Sequence, residues 1–327
     1  MSSGSKRTRK YGSRTKALDT VPNVELTGKT MLITGTTSGI GIETARSLAL
    51  LGAHIVMANR NLVESEALKE KILKEKPDAK IDLLSCDLSS LQSVKAAADE
   101  YKQKQWPIHA LVLNAGVFQP IQKTTLDGYD SSFGVNHLGH FYLIRELLPV
   151  VRQSAPARIV IVSSHSHNHT GISATDPTEV KVKRLIQMGD TNEFGYRLYA
   201  YSKLCNVLTG FRLHRKENAN NISVYVLHPG TMIGTNISRG YGFWGKAMNV
   251  LSKPFTKDLS QGAATTVYCA ASPEIANVSG KYWESCWDDE KQLQVNLARD
   301  EEFQDAFWDK SEELIFKFES TRRPAQS

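Results

Sequence analysis

The chain has 327 residues, 41% hydrophobic and 23% charged, which is ample for a large core and too apolar for a disordered protein. Its net charge of +6 gathers at one end, where Lys6, Arg7, Arg9, Lys10, Arg14 and Lys16 stand against Asp19, so the body is nearly neutral and nucleic acid is not the expected partner. No apolar run reaches membrane-spanning length, no apolar signal core opens the chain, and Cys86, Cys205, Cys269 and Cys286 form no CxxC pair, so a reducing cytoplasmic setting is expected, with a nuclear address in the basic tail as the alternative.

Residues 1–24 are expected as a basic, disordered tail, followed by one domain over 25–327. An apolar run over 30–34 ending at a glycine predicts a strand. Ala45, Leu48 and Ala49 recur at helical spacing over 39–51, and Gly52 ends that helix. A strand over 54–58 precedes a charged helix over 62–76, stopped by Pro77. Next come a strand over 81–86, a helix over 89–104 capped by Ser89, and a strand over 109–113. A long helix is predicted over 125–152, then a strand at 158–163, a helix at 199–216 and a strand at 222–227. A helix over 259–271, a strand over 281–284 and an acidic, aromatic helix near 302–318 complete the order. Apolar strands alternating with helices predict an α/β fold, a single doubly wound parallel sheet (Rossmann fold) with helices on both faces.

The loop Gly35-x-x-x-Gly39-x-Gly41, with Ser38 and Ile40 inside it, lies between the first strand and helix. Gly35 permits a tight turn, Gly39 lets backbone approach a pyrophosphate, and Gly41 allows close helix–strand contact, which marks a dinucleotide site. A carboxylate at the end of the second strand would favour NAD. Asn59 has no charge there and Arg60 can pair with a 2′-phosphate, which points to NADP rather than NAD. Asp87-Leu88 and Asn114-Ala115-Gly116 follow strand ends on the ligand-binding edge of such sheets. Asp87 either accepts from an adenine amino group or caps a helix, and Asn114 either faces the cofactor or ties strands together. Tyr199 and Lys203, four apart, share a helix face. A nearby ammonium favours the phenolate and moves the phenol from about 10 toward neutrality, as an acid/base beside a nicotinamide requires. Ser163 and Ser164 end a strand, as donors to a substrate oxygen or as turn formers. Asn136, polar in an apolar helical run, either kinks the helix around a water or satisfies buried backbone groups. His165, His167 and His169 lack a clear fourth ligand, so a pocket wall is expected and no metal.

In their order, TGTTSGIG at 34–41, Asp87, NAG at 114–116, Asn136, Ser164, the Tyr199–Lys203 pair and Pro229-Gly230 resemble the short-chain dehydrogenase/reductase family. The resemblance covers residues 26–290. It implies that Tyr199 exchanges a proton with the substrate oxygen and that Lys203 tunes it and holds the nicotinamide ribose. Ser164, rather than Ser163, would polarise the carbonyl, and Asn136 would anchor a water relaying protons to Lys203. Around the cofactor it places Gly35, Ser38, Gly39, Ile40, Gly41, Arg60, Asp87, Leu88, Asn114, Ala115, Gly116, Pro229 and Gly230, with Tyr199 and Lys203. Thr231 and Thr235 are out of register with the family's nicotinamide-contacting threonine. VNHLGHFYL, SAPARIVIVSS, SKLCN, LHPG and PFTKDLSQGAATTVYCAA are similar to the branch with WW-domain-bearing and retinol-dehydrogenase-like members, although no paired-tryptophan pattern and no N-terminal membrane anchor is found. The implied activity is NADP-dependent hydride transfer with a lipophilic alcohol or carbonyl, a retinoid or steroid. The alternative is a cofactor-binding regulatory or scaffold protein with little turnover. Between Ser164 and Tyr199 lies an insertion expected to flank the substrate pocket. The apolar stretch 242–251 is a candidate lid or peripheral membrane contact, and the stripe Leu204, Val207, Leu208 and Phe211 packs in the core or forms a homodimer.

Overall fold

The computed structural model of the chain describes residues 8–189, 191–230 and 257–321. Strands β1 (Thr30–Thr34), β2 (His54–Asn59) and β3 (Ile81–Ser85) alternate with helices α1 (Ile40–Leu50), α2 (Leu62–Glu75) and α3 (Leu91–Gln103). After β4 (Ala110–Leu113) a short turn α4 (Ser131–Phe133) and a π-helical turn (Gly134–Leu138) lead into α5 (Gly139–Gln153). Strand β5 (Ala157–Val162), helices α6 (Thr178–Leu185) and α7 (Gly195–Glu217) and strand β6 (Ile222–His228) follow. Helix α8 (Leu259–Ala271), strand β7 (Lys281–Glu284), and helices α9 (Val295–Ala298) and α10 (Glu301–Ser320) end the described chain.

All strands run parallel, in the order β3-β2-β1-β4-β5-β6-β7. Alternation along each strand sorts the core into two layers. Leu32, Val56, Leu111, Ile159 and Val226 face α3, α5, α7 and α10, whereas Met31, Ile33, Ile55, Val160 and Leu227 face α1, α2 and α8. The chain builds outward through β1, β2 and β3, then returns to place β4 against β1. That reversal opens a crevice at the C-terminal ends of β1 and β4, where a doubly wound sheet receives its ligand.

Several boundaries differ from the sequence expectation. The helix expected over 125–152 starts at Ser131, because Gly128 turns the chain at φ +86° and Asp130 caps the new start by accepting from the Ser132 and Phe133 N–H groups. Ser90, not Ser89, caps α3, since Asp87 first captures the N–H and hydroxyl of Ser89 and delays the helix. Helix α7 begins a turn before Tyr199, at Gly195. Part of the segment expected as tail joins the body: Ala17 and Val21 are buried in the layer that holds α8. The insertion after Ser164 is a 3-10 turn (His165–His169) plus α6.

The stripe of Leu204, Val207, Leu208 and Phe211 is buried within the chain. Helix α10 lies across α5 and α7: Trp308 packs edge-on against Phe141 at 4.8 Å, and Glu319 accepts from Arg145 at 2.9 Å. Among the described residues no helix is long and apolar enough to cross a membrane. Trp308→Ala removes the indole that wedges α10 against α5, and should cost about 3–5 kcal/mol of unfolding free energy in urea denaturation followed by circular dichroism.

Candidate active site

Glycine geometry shapes the crevice. Gly39 adopts φ 59°, ψ −142°, a region essentially reserved for glycine. A Cβ on Gly41 would lie 2.0 Å from the Gly35 carbonyl oxygen, so the loop folds directly onto the first turn of α1. No side chain caps α1, which leaves its first N–H groups available to a phosphate. Ser38 is exposed on this loop, whereas Ile40 and Leu88 send their side chains into the core and offer a ligand only backbone.

Neighbouring side chains brace this loop. The Thr34 hydroxyl accepts from the N–H groups of Asn114 and Ala115, both at 3.0 Å. Asn114 Nδ2 donates to the Thr34 and Gly35 carbonyls at 2.9 and 3.1 Å, while its buried Oδ1 has no partner. Asn59 is buried and structural: Oδ1 accepts from the Thr36 N–H at 2.8 Å, and Nδ2 donates to Thr36 and Ser65 hydroxyls. Beside it Arg60 is exposed and forms no ion pair among the described residues. Asp87 uses Oδ1 on Ser89, at 2.9 Å to its N–H and 2.8 Å to its hydroxyl. An uncapped helix start, a glycine cradle and an unpartnered buried acceptor fit a dinucleotide, with the Arg60 cation at the end of β2.

On the other side of the crevice α7 presents Tyr199 and Lys203. Tyr199 is half-buried, with Ser164 beside its hydroxyl and Phe118 packed edge-on at 5.0 Å, while the Ser164 hydroxyl accepts from the Ser166 N–H and donates to the Ser166 hydroxyl, both at 3.2 Å. Burial pushes the phenol up to about 12, with the Ser164 hydrogen bond pulling the other way. This reverses the expectation of a phenol drawn toward neutrality by its ammonium neighbour. Lys203 Nζ sits over the ring, 5.5 Å from its centroid, and donates to the Val162 carbonyl at 3.1 Å. Lys203 is itself buried, which lowers it to about 8.

Ser163 donates to the Lys203 carbonyl at 2.7 Å, a structural tie, and Ser164 is the serine that meets Tyr199. Asn136 lies in the π-helical turn: Oδ1 accepts from the Val117 N–H at 2.7 Å, and Nδ2 donates to the Val117 carbonyl and the Ser202 hydroxyl, both at 2.9 Å. It therefore braces the loop after β4 against α7, with one lone pair of Oδ1 still able to accept. Gly116 passes close by, where a Cβ would lie 3.3 Å from Lys203 Nζ. Tyr201 turns to Glu193 at 3.3 Å. Pro229 and Gly230 follow β6, whereas Thr231, Thr235 and the stretch 242–251 lie outside the described residues.

The histidines do not converge, and among the described residues no group of His, Cys, Asp or Glu is placed to hold a metal. His165 packs against the rings of His169 and His228, and His169 meets the Tyr196 hydroxyl at 2.6 Å. Thr34, Phe118, Tyr196, His140 and His228 were not singled out as site residues from the sequence, whereas His167 was expected only as part of a pocket wall. The only signal was polarity at the ends of apolar segments. His228 has both ring nitrogens buried and unpartnered beside the Pro-Gly segment.

A family model for short chain dehydrogenases matches residues 29–175. The human WW domain-containing oxidoreductase is 39% identical over 308 residues, covering 94% of this chain and 72% of its own. The chain belongs to the short-chain dehydrogenase/reductase family. It is an oxidoreductase that acts on CH–OH groups with NAD(P). Mouse retinol dehydrogenase 12 is 34% identical over 295 residues, covering 90% of this chain and 88% of its own. Among solved structures, a Mycobacterium paratuberculosis protein superposes with a TM-score of 0.64 at 26% identity, over 89% of this chain and 95% of that one.

Four buried histidines make this fold acid-sensitive. Burial lowers His137 and His228 to about 3, and His140 and His167 to about 4, from an ordinary 6.5. The unfolded chain takes up their protons as pH falls below 6.5 while the folded chain does not, so their stability is fully present above 6.5 and is lost as pH falls toward about 4. Urea midpoints should decline from about pH 6.5 downward, each histidine adding a slope of at most about 1.4 kcal/mol per pH unit. A midpoint flat down to about pH 5 would contradict this.

Proposed function

We propose that the protein is an NADP-dependent carbonyl reductase or alcohol dehydrogenase for lipophilic substrates, with Tyr199 as the acid/base. The observation that carries this reading is the placement of Ser164 and Lys203 beside Tyr199, across the crevice from the glycine loop. NADP, when bound, supplies or accepts the hydride. The loop 35–41, Asn114 to Gly116 and Pro229-Gly230 would hold it, with Arg60 on the 2′-phosphate. Ser164 donates to the substrate oxygen and Tyr199 passes its proton to that oxygen as charge develops there. Lys203 would hold the ribose, and its ammonium would stabilise the charge left on Tyr199 as the proton leaves.

An apolar approach supports a lipophilic substrate. Phe118 bridges the rings of Tyr199 and Tyr196, and the loops beside them expose Ile121, Leu126, Met188 and Phe194. The likeness to retinol dehydrogenase 12 makes retinoids the first compounds to test, with steroids next.

Tyr199→Phe should lower NADPH-dependent reduction of retinal, a 3-ketosteroid or decanal by about 100- to 10,000-fold, with NADPH binding by fluorescence unchanged. Turnover retained in that variant defeats the role given to Tyr199. Arg60→Asp should weaken NADPH by about 10- to 100-fold and leave NADH nearly unaffected in titrations, because only the 2′-phosphate meets the guanidinium.

A further inference from the structure

Two buried histidines outside the Tyr199–Lys203 pair carry a role that the reaction scheme above leaves unassigned. His167 follows Ser164 by three residues. Its N–H and its Nδ1 both reach the Ser164 carbonyl oxygen, at 3.1 and 2.6 Å. On the far side of the ring, Nε2 accepts from the Gln294 N–H at 3.2 Å. A backbone N–H can only donate, so Nε2 carries no proton and Nδ1 carries it. The Tyr282 hydroxyl also lies 3.4 Å from Nδ1.

His140 repeats the arrangement on the other catalytic segment. Its Nδ1 lies 3.1 Å from the Asn136 carbonyl oxygen, and its Nε2 lies 2.8 Å from the Thr34 hydroxyl. Thr34 already accepts two N–H bonds from the turn after β4, so its single proton goes to Nε2. The proton on His140 is again at Nδ1, aimed at the carbonyl. Both rings are almost fully buried.

We infer that His140 and His167 are positioning residues: each is a neutral imidazole of one tautomer whose Nδ1–H clamps the main-chain carbonyl of an active-site residue, Asn136 in one case and Ser164 in the other. His167 sets the backbone from which the Ser164 hydroxyl reaches Tyr199. His140 sets Asn136 against Val117 and Ser202 and, through Thr34, couples that segment to the end of β1 where the glycine loop begins. An orienting donor of this kind controls whether reacting groups sit at their working distance, and errors near 1 Å cost about 100-fold. This inference rests on the roles proposed for Tyr199 and Ser164.

The test compares isosteric amides. Asparagine places its amide nitrogen where Nδ1 stands and keeps the clamp, whereas glutamine places its amide at the Nε2 position and cannot reach back to the carbonyl. His167→Asn and His140→Asn should keep kcat for the retinal, 3-ketosteroid and decanal panel within about 3-fold. His167→Gln and His140→Gln should lose about 10- to 100-fold in kcat, with NADPH affinity unchanged. Equal turnover in the Asn and Gln variants, whether high or low, overturns the clamp. Nitrogen-15 NMR of the wild-type protein gives a second reading that no folding defect can obscure. Both rings should show the Nδ1–H tautomer at pH 7, and an Nε2–H signal from either overturns the inference. If Tyr199→Phe stays active, the site assignment fails. If it is inactive while the Gln variants match wild type, the clamp alone fails.

Discussion

The hydroxyl of Thr34 holds three elements together where the sheet reverses direction. It takes two N–H bonds from the turn after β4 and gives its proton to His140 on α5. Parallel strands leave this edge with unsatisfied backbone groups, and a crevice there cannot stay open unless those groups find partners away from the ligand side. Asn114 and Asn59 complete the task for the glycine loop, one through two carbonyls and the other through Thr36. The cofactor crevice is therefore shaped by side chains that need not touch the cofactor.

The same economy of partners runs through the catalytic side. Ser163 ties β5 to α7, while Ser164 beside Tyr199 exchanges hydrogen bonds with Ser166. Asn136 spends both amide hydrogens and one lone pair on Val117 and Ser202. Lys203 is buried with one carbonyl for company, and Tyr199 is walled by Phe118. Desolvation then dominates both groups, raising the phenol and lowering the ammonium. Each sits closer to its neutral form than in water, a state that the charge and ribose hydroxyls of a dinucleotide would alter.

Helix α10 gives the fold its outer wall on this face. Its aromatic residues cover α5 and α7, and its acidic residues meet Arg145, Arg212 and Arg215. The helices that carry the active-site groups are thereby packed on both sides, by the sheet within and by α10 without. Rigid support of this kind suits groups that must hold a fixed separation.

The order of strands and helices, the glycine loop and the Tyr199–Lys203 spacing could all be read from the chain, because apolar periodicity, glycine and a four-residue interval are local properties. The start of the helix before Asn136 could not, since Gly128 and Asp130 break a run that looks helical by composition. The choice of Ser164 over Ser163 came only from the family resemblance, because two adjacent identical residues differ only in what the fold places beside them, the Lys203 carbonyl in the case of Ser163. The sign of the Tyr199 shift was also beyond the sequence, because it depends on how much protein surrounds the hydroxyl rather than on which residue lies four positions away. What stayed hidden longest was the part played by the histidines at 140 and 167. Their tautomers follow from Thr34 and Gln294, which are distant along the chain and come within hydrogen-bond reach only when it is folded.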